Sequence, residues 1–235
     1  MSRLGVLVNP ASGRGAGAKA GPVVIAALRA AGYDVVDLTA PDVSSARTRT
    51  AALLVEGNVT ALIAVGGDGV VNLAANAVLT HAPDVPIGLV AAGTGNDTAR
   101  MLNLPLGDYV AGAAHIVAAL TRDHQVIDVG VITAGGADQA DEAVSRRYFV
   151  TIASVGVDAA VVERTGRLRW PKGPARYVLA LILELVHFRG FDTAVVVDGV
   201  DISGAGTIAA VANSSSFGGG MRIAPAASWT DGLFH

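Results

Sequence analysis

Three glycine-rich segments of the chain combine an adaptable backbone with polar side chains that could bind a phosphorylated ligand. They read NPASGRGAG (residues 9–17), GGDGVVN (66–72) and AAGTGNDTAR (91–100). Glycine lets the backbone approach a ligand closely, and N–H groups at the start of a helix attract anions. The carboxylate of Asp68 repels phosphate unless a cation lies between them. We therefore predict that Asp68 organises Mg²⁺ against a bound nucleotide, although a lone Asp-Gly pair is also typical of a tight turn.

Regular elements that position these segments alternate in the first half of the chain. Apolar runs typical of strands lie at 4–9, 33–39, 61–67 and 85–93, and helical patterns lie at 21–32, 44–57, 70–81 and 109–122. Such alternation predicts an α/β fold in which helices cover both faces of a parallel sheet. Each glycine-rich segment directly follows a predicted strand. All three are therefore expected at the carboxyl edge of the sheet, where ligands of such sheets bind.

The pattern changes after about residue 125. Strand patterns lie at 124–134, 146–158, 191–200 and 206–214, with one helical pattern at 174–188 and a polar loop at 135–143. Strands joined mainly by turns are typical of an antiparallel β structure. We therefore expect two domains: an α/β nucleotide-binding domain over residues 1–123 and a mostly β domain over residues 124–235.

Two familiar phosphate motifs fit the first segment less well. A P-loop is excluded because Lys19 is followed by alanine rather than by serine or threonine. The segment does fit GxGxxA through Gly13, Gly15 and Ala18. Asp37, near the end of the second predicted strand, lies roughly where dinucleotide folds carry a ribose-binding acid. However, the residues NPAS separate the strand from the first glycine, so we favour three converging turns over a dinucleotide fold.

Composition limits the classes of protein and partner. The 235 residues are 51% hydrophobic and 16% charged, which is enough apolar material for a sizeable core. A net charge of -3 gives no global basic field for nucleic acid, and the absence of cysteine excludes disulfides and cysteine-zinc sites. The N-terminus reaches glycine and proline too early for a signal peptide. The longest apolar helical run, 177–188, is too short to cross a bilayer, so we expect a cytoplasmic protein.

Four segments in order resemble the diacylglycerol kinase catalytic family, which includes bacterial lipid kinases, sphingosine kinases and ceramide kinase. They are NPASG (9–13), GGDGVVN (66–72), GTGNDTAR (93–100) and NSSSFGGGMRIAPAASWTDGL (213–233). The resemblance implies an α/β domain followed by a β-sandwich domain, and a kinase that uses ATP to phosphorylate a lipid hydroxyl. For bacterial members, the implied reaction converts diacylglycerol, presented by a membrane surface, to phosphatidic acid.

The resemblance also implies roles for individual residues. Asp68 would organise Mg²⁺-ATP for catalysis. A second-domain magnesium site would use the carboxylate of Asp231 and the backbone carbonyls of Ser228 and Leu233, an oxygen-only ligand set that suits a hard cation. The implied nucleotide-binding positions are Asn9, Gly13, Thr39, Gly66, Gly67, Asp68, Gly69, Val70, Val71, Asn72, Gly93, Thr94, Asn96 and Asp97.

One part of the family pattern is absent from these 235 residues. Family members end with an aspartate-glycine-glutamate motif whose acid takes the proton from the lipid hydroxyl, whereas this sequence stops at His235. Asp198 also precedes a glycine, but it lies before the glycine triplet and is not assigned as the base. We expect either a fragment of a longer kinase, which we favour, or a protein that is impaired in catalysis.

Two other functions share some of these features. NAD kinases have the GGDG turn and the two-domain plan, but GTGNDTAR and the IAP to DGL segment favour a lipid kinase. A nucleotide-binding pseudokinase is the non-enzymatic alternative.

A basic cluster is either a solvated loop or a contact with the inner face of the membrane. Its residues are Arg164, Arg167, Arg169, Lys172 and Arg176, with Trp170 beside them. Homodimer formation is left open.

Overall fold

The computed structural model describes residues 2–134, 145–156 and 190–235, together with Val161, Arg164, Trp170, Leu179 and Leu183. The chain divides into two compact units. The first comprises Met1–Thr151 with Asn213–His235, and the second comprises Ile152–Ala212. Each unit is described by itself.

A parallel four-stranded sheet forms the centre of the first unit. Its strands are β1 (Arg3–Val8), β2 (Asp34–Asp37), β3 (Ala61–Gly66) and β4 (Ile87–Ala91), in the spatial order β2-β1-β3-β4. Leu4 of β1 is opposite Val35 of β2 and Ala61 of β3, which fixes the register. The predicted parallel sheet is therefore confirmed.

Helices cover both faces of this sheet. They are α1 (Ser12–Ala30), α2 (Val43–Glu56), α3 (Asp68–His81), α4 (Asp97–Met101) and α5 (Tyr109–Ala119). Val6 and Ile63 are buried with α1 and α5, whereas Leu7 and Leu62 are buried with α2 and α3. The two-residue period of a strand thus divides the core into two apolar layers. None of the helices in the described residues is long and apolar enough to cross a membrane.

The winding of the chain changes direction between β1 and β3. After β1 the chain crosses to β2 on one side, whereas after β3 it crosses to β4 on the other side. A crevice opens at the carboxyl ends of two adjacent strands whose connections diverge in this way. The segments that follow β1 and β3 therefore line the natural binding edge of the sheet.

The helix predicted at 21–32 begins earlier than expected. It starts at Ser12, with an interruption where Gly13, Arg14 and Gly15 have positive φ angles of 56°, 59° and 93°. Glycine usually disfavours a helix, but at Gly21 it lets α1 pack closely on β1. A Cβ on Gly21 would lie only 2.9 Å from Cγ1 of Val8. The five-residue helix α4 is too short for a hydrophobic period and is not predicted from sequence.

The remaining strands of the described residues form antiparallel pairs. In the first unit, β5 (Gly130–Ala134) pairs with β6 (Ser145–Phe149), and β13 (Ser216–Phe217) pairs with β14 (Met221–Arg222). In the second unit, β7 (Ile152–Gly156) pairs with β12 (Ile208–Ala212), β8 (Phe191–Thr193) with β11 (Gly204–Gly206), and β9 (Val196–Val197) with β10 (Val200–Asp201). These pairs agree with the mostly β pattern predicted after residue 125.

Two of the predicted strands are divided in the structure. The run 146–158 forms β6 and β7, and the run 191–200 contains β8, β9 and the start of β10. The predicted helix at 174–188, apart from Leu179 and Leu183, and the predicted loop at 135–143 lie outside the described residues. The domain boundary at residue 123 stays a prediction.

Candidate functional site

The three glycine-rich turns lie against one another at the carboxyl edge of the sheet. Ala92, directly after β4, donates its N–H to the carbonyl of Gly66 over 2.8 Å. A Cβ on Gly93 would lie 2.3 Å from the Cα of Gly67, and a Cβ on Gly13 would lie 2.4 Å from the carbonyl oxygen of Ala92. The backbones of the three turns thus pack directly on each other, which requires glycine at the contact points.

The start of α3 presents backbone N–H groups at this edge. Val70 and Val71 donate their N–H groups to the carbonyl of Gly67, over 2.9 and 3.3 Å, and their side chains are buried in the core. Within the described residues, the N–H groups of Asp68 and Gly69 have no acceptor, as is usual in the first turn of a helix. These two groups are therefore available to bind an anion.

The carboxylate of Asp68 binds the start of α4. Its Oδ1 accepts hydrogen bonds from the N–H and the hydroxyl of Thr98, both over 2.9 Å, and its Oδ2 accepts the N–H of Asp97 over 3.2 Å. These three donors hold the β3–α3 turn against the β4–α4 turn. Asp68 is half-buried, and its Oδ2 keeps a lone pair, so this oxygen can still bind a cation.

Other predicted nucleotide positions determine the shape of the turns. Asn96 has the left-handed conformation, with φ 57°. Its Oδ1 accepts the N–H of Gly93 over 2.8 Å, and its Nδ2 donates to the carbonyl of Gly93 over 2.9 Å. Oδ1 of Asn9 accepts a backbone N–H two residues along the chain, over 3.0 Å. Asn72 and Thr94 are exposed, and Oδ1 of Asn72 accepts a hydrogen bond from Nδ2 of Asn76 over 3.3 Å.

Thr39 follows β2 at the same edge of the sheet. Its N–H and its hydroxyl both donate to Oδ1 of Asp37. Thr39 also lines a cavity of about 450 Å³ that Pro10 and Gly17 of the first glycine-rich segment line too. The structure therefore brings this predicted nucleotide position to the first turn through a shared cavity.

Asp97 connects this edge to the glycine triplet Gly218–Gly220. Asp97 is only 4% exposed, and its carboxylate accepts the N–H of Gly219 at Oδ2 (2.7 Å) and the N–H of Gly220 at Oδ1 (2.6 Å). All three glycines have positive φ angles, from 65° to 102°. Successive N–H groups in glycine-rich turns form anion-binding nests, and the carboxylate of Asp97 is the anion here. Sequence reasoning missed this role of the triplet, although three consecutive glycines were the available signal.

Replacing Asp97 with asparagine should lower the free energy of unfolding by about 3 kcal/mol. Asparagine keeps one oxygen that can accept a hydrogen bond from one of the two glycine N–H groups. Its NH₂ group would face the other glycine N–H, and these two buried donors cannot bind each other. Denaturation in urea measures the effect. Asp108→Asn is the matched control, because exposed Asp108 caps α5 by accepting the N–H of Ala111, and asparagine caps helices equally well. Equal losses in the two variants would contradict this account of Asp97.

The predicted ligands of a second-domain magnesium ion lie in a tight loop, residues 228–233. Oδ1 of Asp231 accepts the N–H of Leu233 over 3.0 Å, and Oδ2 lies 3.5 Å from Nε2 of His235. The hydrogen bond from Leu233, with a smaller contribution from His235, lowers the pKa of Asp231 below its usual 3.8. The shift favours the charged form, which is the form that binds a hard cation.

Two residues that the sequence analysis did not single out hold this loop in place. Asp128 accepts the N–H of Gly232 over 2.8 Å and donates its own N–H to the carbonyl of Trp229 over 2.7 Å. Asn213 is fully buried, and its Nδ2 donates to the carbonyls of Asp128 and Val150, both over 2.8 Å. Asp128 thus anchors the loop and Asn213 holds Asp128, through long-range contacts that no local sequence pattern reveals.

Most of the predicted basic cluster lies outside the described residues. Arg167, Arg169, Lys172 and Arg176 belong to that undescribed part, whereas Arg164 and Trp170 are described. Trp170 is 77% exposed. Contact of this cluster with a membrane stays a prediction.

Comparisons with known proteins cover both parts of the chain. A family model described as the diacylglycerol kinase catalytic domain matches residues 3–145. A second model, described as the YegS C-terminal NAD kinase beta sandwich-like domain, matches residues 151–235. The predicted fold class, an α/β domain with a parallel sheet followed by a β-sandwich-like domain, is therefore confirmed.

Relatives and solved structures agree with these matches. A protein named diacylglycerol kinase from Mycobacterium tuberculosis (strain ATCC 25618 / H37Rv) is 38% identical, over 99% of this chain and 72% of its own length. A protein of the same name from Bacillus subtilis (strain 168) is 27% identical, over 100% of this chain and 72% of its own length. A crystal structure described as a diacylglycerol kinase from Bacillus anthracis str. Sterne has a TM-score of 0.69 at 19% identity. That similarity covers 99% of this chain and 71% of the other, and it shows the fold alone.

Proposed function

The chain belongs to the diacylglycerol kinase catalytic domain family, and on this premise we propose that it is an ATP-dependent kinase that phosphorylates a lipid hydroxyl. Diacylglycerol, presented by a membrane surface, is the proposed acceptor, and phosphatidic acid is the proposed product. The relatives named diacylglycerol kinase support this choice of acceptor.

The observation that carries the proposal is the packing of the three turns on one another, with Asp68 held between the second and the third. Free N–H groups at the start of α3 can bind phosphate oxygens, since the positive end of a helix favours anions. The carboxylate of Asp68 is fixed beside them by the N–H groups of Asp97 and Thr98. Phosphoryl transfer depends mainly on positioning and on charge stabilisation, and this arrangement supplies both.

The proposed reaction breaks the bond between the γ-phosphorus of ATP and the oxygen that bridges it to the β-phosphate. The oxygen of the lipid hydroxyl forms the new bond to phosphorus, ADP leaves, and the hydroxyl proton passes to a base. No residue of this chain is assigned as that base. The residues of the three turns therefore act on the phosphate donor, by binding it and by orienting its γ-phosphate.

Two parts of the chain fit magnesium by their donor chemistry. Oδ2 of Asp68 would hold the ion that accompanies ATP, and Asp231 with the carbonyls of Ser228 and Leu233 would hold a second ion. Both sets consist of oxygen atoms, and the hydrogen bond from Leu233 lowers the pKa of Asp231. When bound at Asp68, magnesium neutralises negative charge on the phosphate oxygens.

Magnesium should raise the melting temperature of the wild-type protein by about 3 °C or more, because a ligand that binds only the folded state stabilises it. Asp231→Asn should lose at least half of that rise, since an amide oxygen carries no negative charge. Asp201→Asn is the matched control: Asp201 also accepts an N–H from the residue two positions on, Ser203, over 2.8 Å. It should keep the wild-type rise. Equal rises in both variants would exclude Asp231 from the magnesium site.

A phosphorylation assay with several acceptors tests the proposed function. The purified natural full-length protein is incubated with labelled Mg²⁺-ATP and with vesicles that contain diacylglycerol, sphingosine or ceramide, or with NAD in solution. We expect labelled phosphatidic acid from diacylglycerol. The Asp68→Asn protein, purified identically, serves as the control, because a contaminating kinase would be unaffected by that substitution.

Each of the other outcomes points to a different function. Formation of NADP would replace the proposal with an NAD kinase. Phosphorylation of sphingosine or ceramide alone would keep a lipid kinase but change its acceptor. Tight ATP binding without turnover of any acceptor by the natural full-length protein would identify a pseudokinase.

A further inference from the structure

A cavity of about 450 Å³ lies beside the phosphate-binding edge of the first unit, and one of its polar residues, Asp37, has no role in the phosphoryl transfer described above. Val8 of β1 and Ile25 of α1 are buried residues that line its apolar part. Asp37, at the end of β2, and Thr39 are among its polar residues. Its volume is in the usual range for small-molecule sites.

Asp37 offers one free acceptor to this cavity. Its Oδ1 accepts both the N–H and the hydroxyl of Thr39, and the guanidinium of Arg49 donates to the carbonyl of Thr39 over 2.7 Å. These contacts fix the direction of the carboxylate. Within the described part of the chain, Oδ2 of Asp37 has no hydrogen-bond donor and no ion-pair partner. Arg29 lines the same cavity, but its guanidinium donates to the carbonyl of Val35 over 3.4 Å rather than to Asp37. A carboxylate that is held in place and keeps a free acceptor suits a ligand that donates hydrogen bonds.

The neighbouring residues indicate which part of a nucleotide fits here. The carboxylate of Asp37 repels phosphate but accepts hydrogen bonds from hydroxyl groups. Pro22 and Ala26 extend the apolar lining along α1, and such a surface suits a planar base. Pro10 and Gly17 belong to the segment after β1, so the cavity adjoins the turns that are proposed to bind phosphate. The end of β2 lies at the carboxyl edge of the sheet, where ligands of such sheets bind, and ribose hydroxyls are donors that a free carboxylate oxygen accepts.

We infer that this cavity binds the nucleoside of the phosphate donor and that Oδ2 of Asp37 accepts a hydrogen bond from a ribose hydroxyl. This inference rests on the proposed function, because it assigns a subsite of the same nucleotide site. It makes Asp37 a specificity-determining residue for ribonucleotides over deoxyribonucleotides.

Direct titration of the protein with ADP, 2′-deoxy-ADP and 3′-deoxy-ADP tests the inference without any lipid. The wild-type protein should bind ADP about tenfold more tightly than at least one deoxy analogue, because hydrogen bonds to charged groups discriminate strongly. Asp37→Asn keeps an oxygen for Thr39 but replaces the free acceptor with an NH₂ group. It should bind ADP about tenfold more weakly than wild type and discriminate less than about twofold.

Asp34→Asn is the matched control. Asp34 is an exposed aspartate at the opposite end of β2, where it lies 3.6 Å from Arg3. This variant should keep the wild-type affinities for all three nucleotides. Unchanged discrimination in Asp37→Asn, or a wild-type protein that does not discriminate or does not bind ADP, would overturn the inference. Failure of the phosphorylation assay alone would overturn the proposed function and leave the titration result intact, so the two failures are distinguishable.

Discussion

Replacing Gly93 with alanine should lower kcat/KM for ATP at least about 100-fold, because misplacement of a catalytic turn by about 1 Å has effects of that size. The new Cβ would lie 2.3 Å from the Cα of Gly67 and 2.7 Å from Oδ1 of Asn96. Both neighbours are part of the turns themselves, so neither can move away without displacing the backbone. The β3–α3 and β4–α4 turns must therefore separate, and Asp68 moves away from α4.

The same substitution should also destabilise the protein. Overpacking of this severity costs about 3 kcal/mol, which corresponds to a fall in melting temperature of about 10 °C for a chain of this size. Thermal unfolding and steady-state kinetics, measured on the same preparation, give both quantities.

Gly204→Ala is the control for the effect of a single added methyl group. Gly204 lies in β11, its φ is not positive, and no atom lies within 4 Å of the Cβ position. This variant should keep the wild-type melting temperature and kinetics. Wild-type behaviour of Gly93→Ala would show that the two turns do not pack as described.

Replacing Asp68 with asparagine should lower kcat by about 100- to 1000-fold, the range found when a preorganised electrostatic group is removed from an active site. Asparagine can still accept the two hydrogen bonds from Thr98 through its oxygen. Its NH₂ group, however, would face the N–H of Asp97, and the negative charge beside the phosphate-binding turn is lost. We expect the half-saturating concentration of magnesium to rise about tenfold as well, since a neutral amide binds a hard cation poorly.

Thr98→Val separates the structural role of Asp68 from its role in charge stabilisation. The substitution removes the hydroxyl bond to Oδ1 of Asp68, over 2.9 Å, but leaves the carboxylate in place. It should cost about 1 kcal/mol of stability, lower kcat less than about tenfold, and leave the magnesium dependence unchanged. Equal falls of kcat in the two variants, without a change in magnesium dependence, would reduce Asp68 to a structural acceptor for α4.

Much of the first unit follows from local sequence patterns. The strand runs at 4–9, 61–67 and 85–93 correspond to β1, β3 and β4, because buried parallel strands need short, continuous apolar runs. The convergence of the three glycine-rich turns follows from the same pattern, since parallel strands present their carboxyl ends at one edge. The early start of α1 could not be predicted in this way. Helix propensity argues against glycine, but Gly21 packs closely on Val8 of β1 and Gly17 on Asn9, directly after β1, so tertiary contacts outweigh propensity.

The sequence by itself determined the α/β fold, the edge of the sheet where the site lies, and the turns that form it, because side-chain periodicity and glycine content act over a few residues. Only the tertiary structure decided which donors each carboxylate binds. Asp68 meets Thr98, 30 residues away, and Asp97 meets Gly219, 122 residues away. A carboxylate accepts any backbone N–H that folding brings within reach, so the residue type alone does not specify the partner. For this reason the sequence identified Asp97 as part of the site, whereas only the fold showed that its carboxylate binds the glycine triplet.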